Sequence, residues 1–172
     1  MTWVALLRAI NVGGKRKVPM AELRALTEGL GWTRVRTHIA SGNLLFDADG
    51  ERNELIARLE PAIRDRFGFD VPVVLRTHDE LTRVVREAPF DPPDRTFVWF
   101  LDRVPAEDSR ERIEAIPRKE GERWVLVGDH LYTDLPSAGQ TKFTADRIDR
   151  ATRATATARN LRTTTTLRDL SG

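Results

Sequence analysis

Apolar positions along the chain gather into short runs divided by polar turns. Trp3-Val4-Ala5-Leu6-Leu7 is continuous and of strand length, the pattern of a strand buried on both faces. Asn11 to Lys17 is polar and glycine-containing, and reads as a loop. Pro19 suits the first turn of a helix whose apolar face is Met20, Leu23, Leu26 and Leu30, and Gly31 ends it. Val35 to Ala40 then reads as a strand, Ser41-Gly42-Asn43 as a tight turn, and Leu44-Leu45-Phe46 as the returning strand. Leu55, Leu59, Ile63 and Phe67 recur every four residues, which predicts one kinked helix from about residue 51 to 67 running through Pro61. Val71 to Leu75 is the next strand. The order is strand, helix, strand, strand, helix, strand, that of the split βαβ or ferredoxin-like unit.

Thr77-His78-Asp79-Glu80 has the spacing of a capping box and opens a linking helix to about Glu87. Pro89, Pro92 and Pro93 follow and mark a boundary, so residues 1–90 form one half and residues 91–172 the other. The second half repeats the order. Thr96 to Leu101 is a strand, Ala106 to Ile116 a helix, and Trp124 to Val127 with His130 to Thr133 a hairpin about Gly128-Asp129. Asp134 to Lys142 is a loop and Thr144 to Ala151 a helix; a short strand lies near Thr155, and Ala158 to Leu170 is a C-terminal helix. The fold class expected is α+β, two tandem ferredoxin-like (α/β-plait) halves. Both first strands, Trp3 to Leu7 and Phe97 to Leu101, lack the alternation of a sheet with one wet face, so both are expected to be covered on two sides.

Composition narrows the chemistry. The 172 residues include no cysteine, which excludes disulfides and thiolate catalysis. No apolar run approaches the roughly 20 residues that cross a bilayer. No basic segment with a long apolar stretch precedes the first strand, so a cytoplasmic location is expected and no membrane partner. His38, His78 and His130 lack metal-ligand spacing, and no cofactor is indicated. The net charge is only +2, from 28 basic and 26 acidic residues. Two stretches are locally basic. Arg8 to Lys17 holds Arg8, Lys15, Arg16 and Lys17 with no acid, and from Phe143 onward six arginines face three aspartates. Only four basic residues are lysines, and Lys15 and Lys142 both stand in polar loops. There a compact ammonium differs in use from a planar guanidinium.

Topology assigns a meaning to the first basic stretch. In a ferredoxin-like unit the first and second strands run parallel with the third between them. The loop after strand one and the hairpin between strands two and three therefore share one end of the sheet. Gly13 and Gly14 can take positive φ and present backbone amides, the helix after Pro19 adds a positive dipole end, and Lys15 adds a full charge. Asn11, Ser41, Gly42 and Asn43 complete a candidate anion site. Turn chemistry alone also accounts for the glycines. The spacing matches neither GxxxxGK[ST] nor GxGxxG. Lys142 and Arg159 are further candidates from the second half.

The chain resembles a bacterial family, domain of unknown function 1697. The residues that carry the likeness are Ala5-Leu6-Leu7-Arg8-Ala9-Ile10-Asn11-Val12-Gly13-Gly14-Lys15, then Val18-Pro19-Met20-Ala21-Glu22-Leu23, then Ser41-Gly42-Asn43. It continues in Lys142-Phe143-Thr144 and Ala156-Thr157-Ala158-Arg159-Asn160. The resemblance implies two ferredoxin-like halves and supplies no activity, cofactor or catalytic residue. The function expected is binding of, or action on, a small anionic and possibly phosphorylated ligand. The alternatives are nucleic-acid binding through Arg8 to Lys17 and the arginine-rich tail, and an interaction module without ligand.

Overall fold

A computed structural model describes all of residues 1–172. The chain gathers into two compact units, Met1–Thr82 with Leu167–Gly172, and Arg83–Thr166. The first holds β1 (Thr2–Leu7), α1 (Met20–Gly29), β2 (Thr33–Thr37), β3 (Asn43–Asp47), α2 (Arg52–Phe67) and β4 (Val73–Thr77). The linking helix α3 (His78–Arg86) leads to β5 (Thr96–Leu101), α4 (Ser109–Glu114), β6 (Arg123–Val127), β7 (His130–Asp134), α5 (Ala145–Thr152) and β8 (Ala156–Asn160), and α6 (Leu161–Ser171) closes the chain.

Each unit has one antiparallel four-stranded sheet, in the orders β2-β3-β1-β4 and β6-β7-β5-β8. With the flanking helices these are two ferredoxin-like halves and a C-terminal helix. The apolar stripes of α1 and α2 cover one face of the first sheet, where Leu23, Leu55, Leu59 and Ile63 pack on Trp3, Ala5, Leu7, Leu44 and Phe46. In the second unit Ile113 and Ile148 meet Trp99, Leu101 and Leu131 in the same way. Burying one such side chain contributes roughly 1.5–3 kcal/mol. The opposite faces are covered too. Val4 and Leu6 of β1, and Val98 and Phe100 of β5, have no exposed surface. In the second unit Tyr132 on that face donates its hydroxyl to the Val84 carbonyl of α3 at 2.6 Å.

α2 runs unbroken through Pro61 and opens on a capping box between Glu51 and Glu54. The Thr77–Glu80 capping box also forms, its amides and side chains reciprocally bonded at 2.8 and 3.3 Å. Three expectations are corrected. β2 ends at Thr37 rather than Ala40, and Asn43 opens β3 rather than closing the turn. The Asn43 amide donates to the His38 carbonyl at 3.0 Å, which widens the hairpin into residues 38–42. α4 covers only Ser109–Glu114, because Pro117 biases Ile116 away from helical geometry and the segment after Pro105 enters as a turn. Residues 158–160 belong to β8, which completes the β5 edge, with Arg159 opposite Val98. α6 begins at Leu161 with the Asn160 side chain accepting the Thr163 amide at 2.7 Å. Its threonine run is tolerated because Thr164, Thr165 and Thr166 each donate to the carbonyl four residues back. No helix is long and apolar enough to cross a membrane.

Candidate functional site

The loop after β1 and the β2–β3 hairpin adjoin, as the connectivity requires. β1 runs on past its ladder to the hairpin, with the Leu7 amide donating to the Gly42 carbonyl at 2.9 Å. Within the first loop the chain folds back on itself. Asn11 donates its amide to the Arg16 carbonyl, Lys15 its amide to the Val12 carbonyl, both at 3.1 Å. Gly13 (φ +60°) and Gly14 (φ +73°) sit at the tip. Two successive positive φ angles are those of a type I′ two-residue hairpin turn, and a Cβ at either glycine would meet nothing within 4 Å. Asn11–Arg16 is therefore a small basic hairpin standing on the end of the sheet. Val12 to Lys17 are all exposed.

Asn11 fixes this hairpin. Its side-chain amide donates to the Val18 carbonyl at 2.9 Å and to the Ala40 carbonyl at 2.7 Å, and its oxygen accepts the Val18 amide at 2.8 Å. One side chain thus joins the basic hairpin, the approach to the α1 N-terminus and the β2–β3 hairpin. Arg16 clamps the other side. Its guanidinium donates to the Ala9 and Asp70 carbonyls and lies 4.8 Å from the Phe69 ring centroid. At the α1 entrance Pro19 occupies the N-cap position with no side-chain hydrogen bond to the first amides.

The candidate residues separate by what they touch. Asn11 is engaged within the loop. Gly42 is buried at φ +99°, and a Cβ there would stand 2.9 Å from Ile10 Cδ1 and 3.0 Å from Leu7 Cβ, so its role is close approach. Asn43 is fully buried and braces its own hairpin through His38 and the Ser41 hydroxyl. Gly13, Gly14, Lys15 and Ser41 are the exposed members. Lys142 and Arg159 lie in the second unit. Lys142 is exposed after the short 3-10 turn Ala138–Gln140. Arg159 is 8% exposed and donates to Thr157 Oγ1 at 3.0 Å and the Ala158 carbonyl at 2.7 Å; burial lowers its pKa to about 10. The arginine-rich tail is likewise partly engaged: Arg153 faces Asp108 at 3.7 Å and Arg168 faces Asp169 at 2.7 Å.

Sequence reasoning missed two features of the rim. Val12 and Ile39 are 67% and 52% exposed, one on each loop. Ala9, Asn11, Arg16 and Ile39 all have φ between +52° and +56°. Left-handed backbone is uncommon outside glycine and disfavoured most for a β-branched residue. No local sequence signal marks it at alanine, arginine or isoleucine.

The second unit is an internal comparison. Its Leu101 amide donates to the Asp129 carbonyl at 2.9 Å, in the position of the Leu7–Gly42 bond. The loop that follows, however, spans only Asp102–Asp108 against Arg8–Pro19 in the first unit, and holds no hairpin. Its acids are answered locally. Burial would raise the pKa of Asp102, but the Arg103 guanidinium and the Thr155 amide outweigh it and hold the carboxyl below its usual value. Asp108 is lowered by its bond to Arg112, with Arg112 and Arg153 adding charge attraction.

Residues 1–132 match the profile of a family described as "Protein of unknown function (DUF1697)". The fold is similar to that in "The structure of conserved bacterial protein SP0830 from Streptococcus pneumoniae", with 22% sequence identity and a TM-score of 0.73 over 99% of this chain and 98% of that one. No curated protein matches the chain.

Proposed function

The chain belongs to the DUF1697 family of proteins of unknown function, and on that premise we propose that it is a cytoplasmic protein that binds a phosphate- or carboxylate-bearing ligand at the rim Asn11 assembles. The observation that carries this reading is the basic hairpin itself. The second half forms the same sheet without it, so the fold does not require it. The rim around it holds Ala9, Arg16 and Ile39 in left-handed backbone, a cost of order 1 kcal/mol or more each, and strain of this kind collects at functional sites. The hairpin also ends in charge rather than in packing.

The chemistry follows from what is exposed. Lys15 and Lys17 supply ammonium groups, Gly13 and Gly14 supply amides at the tip, and Ser41 supplies a hydroxyl. The α1 N-terminus adds a partial positive charge of about half an electron. Asn11 holds these parts together and is a positioning residue. An anion on this open rim stays partly hydrated, so lysine charge dominates and no reaction is assigned.

A second reading is a nucleic-acid ligand, favoured by the exposure of Val12 to Lys17 on a projecting ribbon. One experiment separates the two. Thermal shift is measured with inorganic phosphate, sugar phosphates, mononucleotides and a mixed-sequence oligonucleotide. A ligand at about 100 times its dissociation constant stabilises by roughly 2.7 kcal/mol. Lys15→Ala with Lys17→Ala is expected to abolish the shift, and an unchanged shift refutes the site. A binding constant that falls with salt at a log–log slope of roughly −0.7 to −0.9 per phosphate contacted identifies the polymer as the ligand.

A further inference from the structure

We propose that the groove between α4 and α5 in the second unit docks an acidic segment of a partner protein carrying one apolar anchor residue. The groove follows from helix length. α1 and α2 have 10 and 16 residues, whereas α4 and α5, in the same places of the second unit, have 6 and 8. Pro117 prevents α4 from continuing, and the segment that follows the helix end leaves a cleft against α5. A cavity of about 400 Å³ results, at the small end of ligand-sized pockets. That is room for one or two side chains rather than for a folded surface.

Its two kinds of wall specify the occupant. Ala115, Ile116 and Ala151 form an apolar floor, and Pro117 adjoins them. Ile116 and Ala151 are nearly buried, whereas Ala115 is open to solvent. Arg112, Arg147 and Arg150 complete the lining, and no acidic side chain does. Arg147 and Arg150 are three residues apart, so they share one face of α5. Three acids on or beside these helices are engaged away from the cleft, Glu114 accepting Arg118 Nη2 at 2.5 Å and Trp124 Nε1 at 2.9 Å. Asp149 accepts the Ala156 amide at 2.8 Å, and Asp108 accepts Arg112 Nε at 2.6 Å. Arg112 is thereby partly neutralised, and Arg147 with Arg150 set the sign of the groove. A guanidinium fork pairs with a carboxylate bidentately. An apolar side chain flanked by Asp or Glu matches both walls, whereas a mononucleotide or free phosphate leaves the floor wet.

The test uses the full chain and an array of octapeptides in which the number of Glu residues and the presence of one Leu or Phe vary independently. Binding is expected to need both the acids and the apolar residue and to weaken with salt. It is expected to fall about tenfold or more in Arg147→Glu/Arg150→Glu. Ala115→Glu, a change at an exposed position, places a carboxylate on the floor and is expected to abolish binding while the thermal midpoint stays unchanged. Peptides that bind no better than their Gln-substituted controls overturn the proposal, as does wild-type binding by the double variant. An oligonucleotide that binds and is lost in the same double variant also overturns it, by assigning the arginines to nucleic acid.

Discussion

Replacing Asn11 by alanine is the sharpest test of how the rim is built. The substitution strands the Val18 amide, a donor on a residue with no exposed surface, and releases the Val18 and Ala40 carbonyls. A buried donor left without a partner costs about 1–3 kcal/mol. The Ala40 carbonyl belongs to an exposed residue and adds less, because water replaces the lost amide. Alanine must also take φ +56°, which costs it about 1 kcal/mol more than asparagine. The sum is about 3 kcal/mol. With a urea m-value near 2 kcal/mol/M the midpoint drops by about 1.5 M. Hydrogen exchange of the Leu7 and Val18 amides should accelerate with it. Asn11→Asp keeps the size, the tolerance of left-handed backbone and an acceptor for Val18, yet sets an oxygen against two carbonyls, so a comparable loss is expected. Variants within about 0.5 kcal/mol of the wild type would show that Asn11 is not the tie, and the assembled rim would fall with it.

Gly42→Ala should destabilise by about 2 kcal/mol or more, since the new Cβ lands on Ile10 and Leu7, while Gly13→Ala costs only the roughly 1 kcal/mol of its backbone angle; equal losses in urea melts would refute the distinction. Tyr132 is the only tyrosine, and burial, with Glu87 adding repulsion, pushes its pKa above the usual value of 10. Absorbance at the phenolate band should therefore not rise until pH is well above 10 or the chain unfolds, and a midpoint near 10 contradicts the burial. Asp102 has a folded-state pKa below its unfolded value. The stabilisation it gives is present above the unfolded pKa of about 3.9 and is lost as pH falls through the folded one. Asp102→Asn should cost no more than about 1 kcal/mol at pH 6, given its partial exposure, and progressively less as pH falls below about 3.9; a gap that widens in acid reverses the sign and refutes the pairing.

What the sequence revealed, and what it hid, divides along physical lines. Central strands buried on both faces leave continuous apolar runs, and Trp3 to Leu7 and Thr96 to Leu101 were legible for that reason. The meeting of the first loop with the β2–β3 hairpin followed from parallel order alone. Edges were harder. β8 is Ala156-Thr157-Ala158-Arg159-Asn160, and its alanines, arginine and asparagine mask the one strand-favouring threonine. The role of Asn11 was illegible because it depends on two carbonyls, seven and 29 residues away, that no pattern marks. The same holds for Gly42, whose constraint comes from Ile10 and Leu7 rather than from its own turn.

The duplication finally sorts stability from recognition. Arg76 on β4 stands opposite Val4, and Arg159 on β8 stands opposite Val98, the same register in the two halves. Both are nearly buried, and each guanidinium donates to the carbonyl of the residue before it, at 2.9 and 2.7 Å. Even with its pKa lowered to about 10, Arg159 remains charged at neutral pH. A buried cation that recurs in two halves of dissimilar sequence belongs to the shared frame. Removing one while its partners stay costs more than an exposed charge would. Loss of function at Arg159 is therefore expected to accompany loss of fold. Lys15 stands on the hairpin that only the first half possesses and Lys17 directly after it, both exposed, so their loss is expected to spare the fold and to change only what the rim holds.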